Sequence, residues 1–252
     1  MKIRAAIVVV GLSAVVSGCA FAATGTFNRT LAVAGASVVT ISTGAGYIHV
    51  NSGSGSEVRI EAKVTSQNGW NFGGSGSAED RVREIIAHPP IVQSGNTVTI
   101  GPSSDDDDAF RNIEIDYEIT VPAKSTVKAT TGSGTLQVSN IGTLLTARTG
   151  SGNIQLNEVG GAPNVGTGSG DIEVDGNPTA EWRLNTSSGS IRLTVNPAAH
   201  FTVNASTDSG SVRVAQSINL QDSLDRQHIA GTVNGGGPTL RLTTSSGDIT
   251  IH

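Results

Sequence analysis

One short phrase returns along this chain. TGSGTLQV starts at Thr131, TGSGNIQL at Thr149 and TGSGDIEV at Thr167, followed by TSSGSIRL at Thr186, TDSGSVRV at Thr207 and TSSGDITI at Thr244. A looser copy, TGAGYIHV, starts at Thr43. From Thr131 the starts are 18, 18, 19 and 21 residues apart, and the last interval of 37 reads as two periods with a loop inserted. Units this short cannot bury an apolar face alone, so they must stack. Each holds two short strands and two turns, which makes it one coil of a β-solenoid, spaced about 4.8 Å from the next.

Alternation within each unit sets the faces. In SIRLTV, Ile191, Leu193 and Val195 point one way, and in FTVNAST Phe201, Val203 and Ala205 do the same. The same parity turns inward Leu136 and Val138, Ile154 and Leu156, Ile172 and Val174, and Val212 and Val214, with Trp182 and Leu184 on the second wall. A slip of one residue would expose all of them, so the register is strongly specified. The recurrent Gly134, Gly152, Gly170, Gly189, Gly210 and Gly247 are the structural turn residues, because glycine takes positive φ without Cβ strain. The repeated threonines stack as a ladder over the coil corner. The expected fold is all-β, a parallel β-helix of 18–21 residues per coil, right-handed from the general chirality of parallel connections.

The two ends of the chain depart from this regularity. Lys2 and Arg4 precede the apolar run Ala5 to Val16, which is signal-peptide length and short for a membrane span. VSGC then resembles a lipobox, so residues 1–18 read as a lipoprotein signal, Cys19 as the lipid anchor and 19–25 as a tether; cleavage after Ala22 is the alternative. Cys19 is the single cysteine, which excludes an internal disulfide. One solenoid domain is expected over 26–252. Residues 26–65 read as two irregular coils, 66–112 as an irregular insertion and 217–229 as a loop. Inside the insertion SAEDRVREIIAH reads as a short helix, capped by Ser77, with Val82, Ile85 and Ile86 on one face. After His252 nothing follows the last strand, which suggests a bare sheet edge covered by the 217–229 loop or by another chain.

The tandem Thr-x-Ser-Gly units resemble a bacterial adhesin-like family with β-strand repeats, a domain of unknown function akin to the head domain of autotransporter adhesins. EIDYEITVPAKSTVKATTGSG from Glu114 and GTVNGGGPTLRLTTSSGDITI from Gly231 support the resemblance, which spans roughly residues 30–252. It implies a β-helix-like fold, an exported or envelope location and no known catalytic residues.

Charge and motifs narrow the function further. The formal net charge is −5, more negative once Lys2 and Arg4 are removed, and nothing points to a nucleic-acid partner. Each glycine turn feeds a strand, whereas a phosphate cradle needs a helix N-terminus. A calcium column needs an acid at every coil, but the residue after the glycine is a carboxylate only at Asp171 and Asp248, which are expected to lie far apart in the stack. The five histidines are scattered and no G-x-S-x-G elbow occurs. No catalytic, metal or cofactor residue is assigned.

Two surface features are candidates for interaction. An outward face carries Asp171, Glu173, Arg192 and Arg213, where consecutive coils would set Glu173 beside Arg192 and Arg192 beside Arg213. An acidic patch combines Asp105, Asp106, Asp107 and Asp108 with Glu114, Asp116 and Glu118. The expected function is a non-enzymatic, exported cell-envelope module of adhesin or scaffold type. It would hold the membrane through its anchor and present a rigid face to a surface glycan, a protein or another copy of itself. The alternatives are a carbohydrate-active β-helix, either lyase or hydrolase, a self-assembling envelope protein, and a soluble periplasmic or secreted location.

Overall fold

The structure is a computed structural model that describes residues 22–67, 77–102, 107–220 and 226–252, with backbone alone at 107 and 108. Cys19 lies outside the described residues. The chain opens with β1 (Thr24–Ala32), β2 (Val38–Ala45), β3 (Ile48–Gly53) and β4 (Glu57–Ser66). Helix α1 (Ala78–Ala87), the hairpin of β5 (Ile91–Ser94) and β6 (Thr97–Ile100), and the one-turn helix α2 (Asp107–Phe110) come next. After β7 (Ile113–Pro122) the strands fall into pairs, one pair per coil. These are β8 (Thr126–Ser133) with β9 (Leu136–Ser139), β10 (Leu144–Ser151) with β11 (Ile154–Val159), and β12 (Ala162–Ser169) with β13 (Ile172–Gly176). They continue as β14 (Trp182–Ser188) with β15 (Ile191–Val195), and β16 (Phe201–Ser209) with β17 (Val212–Val214). The chain closes with β18 (Ile218–Leu220), β19 (His228–Val233), β20 (Thr239–Ser246) and β21 (Ile249–Ile251).

These strands make two parallel-rich sheets around one core rather than a closed barrel. Sheet 1 has the order β1-β4-β7-β3-β9-β11-β13-β15-β21-β17, and sheet 2 the order β5-β6-β2-β8-β10-β12-β14-β20-β16-β19-β18. The inward residues read from alternation are buried, apart from Val214, which is half-buried at the edge of sheet 1; Leu136, Ile154, Ile172, Ile191, Trp182 and Phe201 are all fully inaccessible. Burying each such aliphatic contributes about 1.5–3 kcal/mol, which only a stack of coils can collect.

Chain order and stacking order part company at both ends. The coil β20–β21 lies between β14–β15 and β16–β17, not at the end of the stack. The bare final strand expected at His252 is therefore absent: β21 is paired on both sides, with β15 and with β17. The loop expected over 217–229 contains β18 and the start of β19. These strands pair antiparallel with each other, and β19 pairs antiparallel with β16, so they close that end of sheet 2. At the other end β2–β3 forms a regular inserted coil, flanked by β6 and β7 on one side and by β8 and β9 on the other. Here β1, β4 and β7 pair antiparallel rather than forming irregular coils. Antiparallel strands thus end sheet 2 on both sides and sheet 1 on the β1 side, while the other side of sheet 1 stops at β17, an edge of only three residues.

Helix α1 closes the β1 end. The side-chain oxygen of Ser77 accepts from the Asp80 N–H at 3.1 Å, and Val82, Ile85 and Ile86 are buried. The helix reaches the sheet over Gly25, where an added Cβ would meet Ile86 Cδ1 at 2.1 Å.

Candidate functional site

The corner of the coil comes first, because it decides which side chains remain free. Thr167 is buried and its hydroxyl donates to the Gly152 carbonyl of the preceding coil at 3.0 Å. Gly170 stacks over that same carbonyl with φ +148°, and a Cβ there would lie 2.1 Å from the oxygen. The arrangement repeats through the stack. Thr186 donates to Gly170 and Thr207 to Gly247, and the aligned threonines run Thr43, Thr131, Thr149, Thr167, Thr186, Thr244, Thr207. The order of the last two follows the inserted coil.

The polar residue after the glycine joins neighbouring coils. Asn153 Oδ1 accepts from the Asp171 N–H at 2.9 Å, and Asp171 Oδ1 accepts from the Ser190 N–H at 2.8 Å. Asp248 Oδ1 accepts from the Ser211 N–H at 2.8 Å and from its hydroxyl at 2.9 Å. The Ser211 hydrogen bonds, aided by Arg213, hold the Asp248 carboxyl below its usual range. Asp116 does the same for the Tyr47 N–H, at 3.0 Å. The carboxylates of Asp171 and Asp248, expected far apart in the stack, are separated only by the coil of Ser190, because β20–β21 is inserted directly after β14–β15. One oxygen of each is used on the adjacent backbone.

Beyond this corner a single polar row crosses the outer face of sheet 1. In register it reads Asn28, Glu61, Glu118, His49, Gln137, Gln155, Glu173, Arg192, Thr250, Arg213. Glu173 and Arg192 are register partners. Arg192 and Arg213 are not neighbours, because Thr250 of the inserted coil stands between them, which removes the like-charge contact expected from sequence. Arg213 instead lies 3.4 Å from Asp248.

The acidic patch is divided. Asp105 and Asp106 lie outside the described residues, and Asp107 and Asp108 belong to α2. Glu114, Asp116 and Glu118 alternate along β7, and the last two are engaged by the inserted coil. Tyr47 Oη donates to Glu118 Oε1 at 2.8 Å, while His49 Nδ1 lies 2.7 Å from Glu118 Oε2. The hydrogen bond to Glu118 pushes the Tyr47 phenol up to about 12. Sequence reasoning missed this Tyr47–Glu118–His49 cluster. The outward parity of YIH was visible, but the partner strand lies some 70 residues away.

A shallow groove of about 710 Å³ follows the opposite corner, lined by Asn140, Glu158, Asp175, Asn177, Thr194 and Asn196 of successive coils. It offers amide, hydroxyl and carboxylate groups. Among the described residues no group of three or more His, Cys, Asp or Glu side chains is placed to hold a metal.

A similar fold occurs in a solved protein. A protein from Clostridium sporogenes, provisionally named a cell adhesion protein, shares 14% identity at a TM-score of 0.51, over 90% of this chain and 98% of its own. Two others are more distant in shape. One, from Bacteroides fragilis, is provisionally named an adhesin (13% identity, TM-score 0.28, 90% and 97% covered). The other, from Parabacteroides distasonis, is provisionally named a lipid binding protein (12%, 0.31, 90% and 96%). No curated protein matches the chain. Residues 109–252 match the Toastrack DUF4097 model, so the chain belongs to that family, a domain of unknown function.

Proposed function

We propose that this protein is a non-enzymatic, exported cell-envelope module of adhesin type. Cys19 holds it at a membrane, and the outer row of sheet 1 meets a surface glycan or protein. The observation that carries this reading is the row itself: ten polar side chains in continuous register, on strands whose opposite side is fully packed. Such a face is pre-organised, so little ordering entropy opposes recognition. The name of the Clostridium sporogenes protein agrees with this role.

The test is a glycan array and an envelope pull-down with the mature protein and with Glu173→Gln/Arg192→Ala. Binding that falls at least tenfold in the variant supports the reading, and unchanged binding overturns the assignment of the face. Labelled palmitate should enter the wild type and not Cys19→Ser. Incorporation that persists in the variant removes the anchor.

A further inference from the structure

The two outer faces carry different charge. Sheet 1 turns Glu61, Glu114, Glu118, Glu173 and Asp175 outward, mixed with cations. On sheet 2 the outward charged positions within the strands are Lys128, Arg148, Arg183 and Arg241, among Thr, Ser and Asn. The one strand carboxylate on that sheet, Asp208, stands at the corner end of β16. Glu181, just ahead of β14, bridges Arg183 at 3.2 Å and Arg241 at 2.7 Å, and so lets two arginines occupy directly opposed positions. Lys128 and Arg148 have no carboxylate partner among the described residues; Arg148 donates to Asn164 Oδ1 at 3.1 Å. A basic band in a chain of net charge −5 is a segregation of charge.

Exposed aliphatic residues share this face. Among the described residues the large exposed hydrophobics are Val38 (46%), Leu144 (53%), Val92 (67%) and Tyr47, and the first three project from sheet 2. Val38 is in register with Thr126, one strand from Leu144 and two residues along from Lys128. The aliphatics thus form a rim beside the band. Trp182 and Phe201 of the same sheet point inward, which leaves the face without the aromatic platforms that stack on sugars.

We propose that the outer face of sheet 2 docks on an anionic lipid surface. Lys128, Arg148, Arg183 and Arg241 lie against the headgroup phosphates, and Val38 and Leu144 reach the acyl boundary. Basic residues beside exposed aliphatics are what an interfacial contact requires. The inference goes beyond the reading above: it is independent of the Cys19 anchor and of the ligand of sheet 1, and it turns the polar row of sheet 1 away from the bilayer.

The experiment is vesicle co-sedimentation of the mature protein carrying Cys19→Ser, so that no acyl chain contributes. Partition into phosphatidylglycerol-containing vesicles is expected to exceed partition into phosphatidylcholine vesicles and to weaken with added salt. Each cation near such a surface changes partition about fivefold, so Lys128→Ala/Arg148→Ala lowers it about 25-fold. Leu144→Asn lowers it further, whereas Glu173→Gln/Arg192→Ala on the other face leaves it unchanged. Equal binding to both vesicle types, or no binding, overturns the proposal. So does tighter binding to soluble polygalacturonate than to vesicles, which would make an acidic glycan the partner. Failure here leaves the array result on sheet 1 standing, and the reverse holds.

Discussion

The middle of the solenoid and its two ends obey different rules. From β8 to β15 each coil stacks on the coil before it in sequence, and the corner hydrogen bonds repeat with the period. At the C-terminal end the chain skips a position, builds an antiparallel cap on sheet 2 and returns to fill the gap with β20–β21. At the N-terminal end, by contrast, β2–β3 come first, the cap strands β4 to β7 are added on one side of them and β8–β9 continue on the other. The inserted coil β20–β21 nevertheless carries the same corner, with Thr244 donating to Gly189 at 2.9 Å as Thr186 does to Gly170, whereas Thr43 of β2–β3 donates to Ala45 of its own turn at 2.8 Å. Local sequence therefore makes a coil, while the caps decide where it stacks.

Deleting residues 239–252 is the strongest way to break this comparison. Leu240, Leu242, Ile249 and Ile251 are fully buried. Their loss removes about 6–12 kcal/mol, comparable with the whole stability of a typical domain. No cooperative thermal transition is expected by circular dichroism, whereas a slightly lowered one would show that the last coil is peripheral.

Within the regular region, Gly170→Ala should cost about 3 kcal/mol, because the site has φ +148° and no room for a methyl group. Gly142→Ala, which meets nothing within 4 Å, should stay within about 0.5 kcal/mol. Urea melts of the two variants would separate the corner from the rest of the coil, and equal midpoints would refute the close approach.

A finer test compares one sequential and one inserted corner. Thr167→Val and Thr244→Val each remove one hydrogen bond from a buried hydroxyl, and each should cost about 1 kcal/mol. Unequal losses would mean that the inserted coil is held differently.

The smallest effect lies in the N-terminal inserted coil. The folded Tyr47 phenol, raised to about 12, sits above its ordinary value near 10. The stability it lends is therefore complete below pH 10 and is lost as pH rises through 12. Burial raises Tyr117 as well, and the chain has no third tyrosine. Phenolate absorbance should show no ordinary tyrosine step in the wild type, and Glu118→Gln should bring one back toward pH 10. A step near pH 10 in the wild type would contradict the Tyr47–Glu118 contact.

Much of this was legible in the chain. The alternation that turned Ile172 and Val174 inward, the glycine corners and the Ser77 cap are local, set by residues within a few positions of each other. The candidate face was only partly legible. Glu173 and Arg192 belong to successive coils, and adding one period placed them together. Arg192 and Arg213 were misplaced by the same addition, since the interval of 37 residues contained a cap and a return rather than a loop. The Tyr47–Glu118–His49 cluster and the basic band of sheet 2 depend on which strands lie side by side, and period alone does not give that.

The sequence by itself determined the unit: two strands, a buried threonine, a glycine that takes positive φ, and a polar residue facing the next coil. Backbone sterics and the alternation of apolar side chains decide such things within a few residues. Only the tertiary structure decided the order of the stack, the closure of its ends and the contrast between its two faces. Nearly identical coils present nearly identical edges, so a strand such as β20 could pair with many partners. The antiparallel caps, formed by contacts far apart in the chain, leave one gap for it to fill.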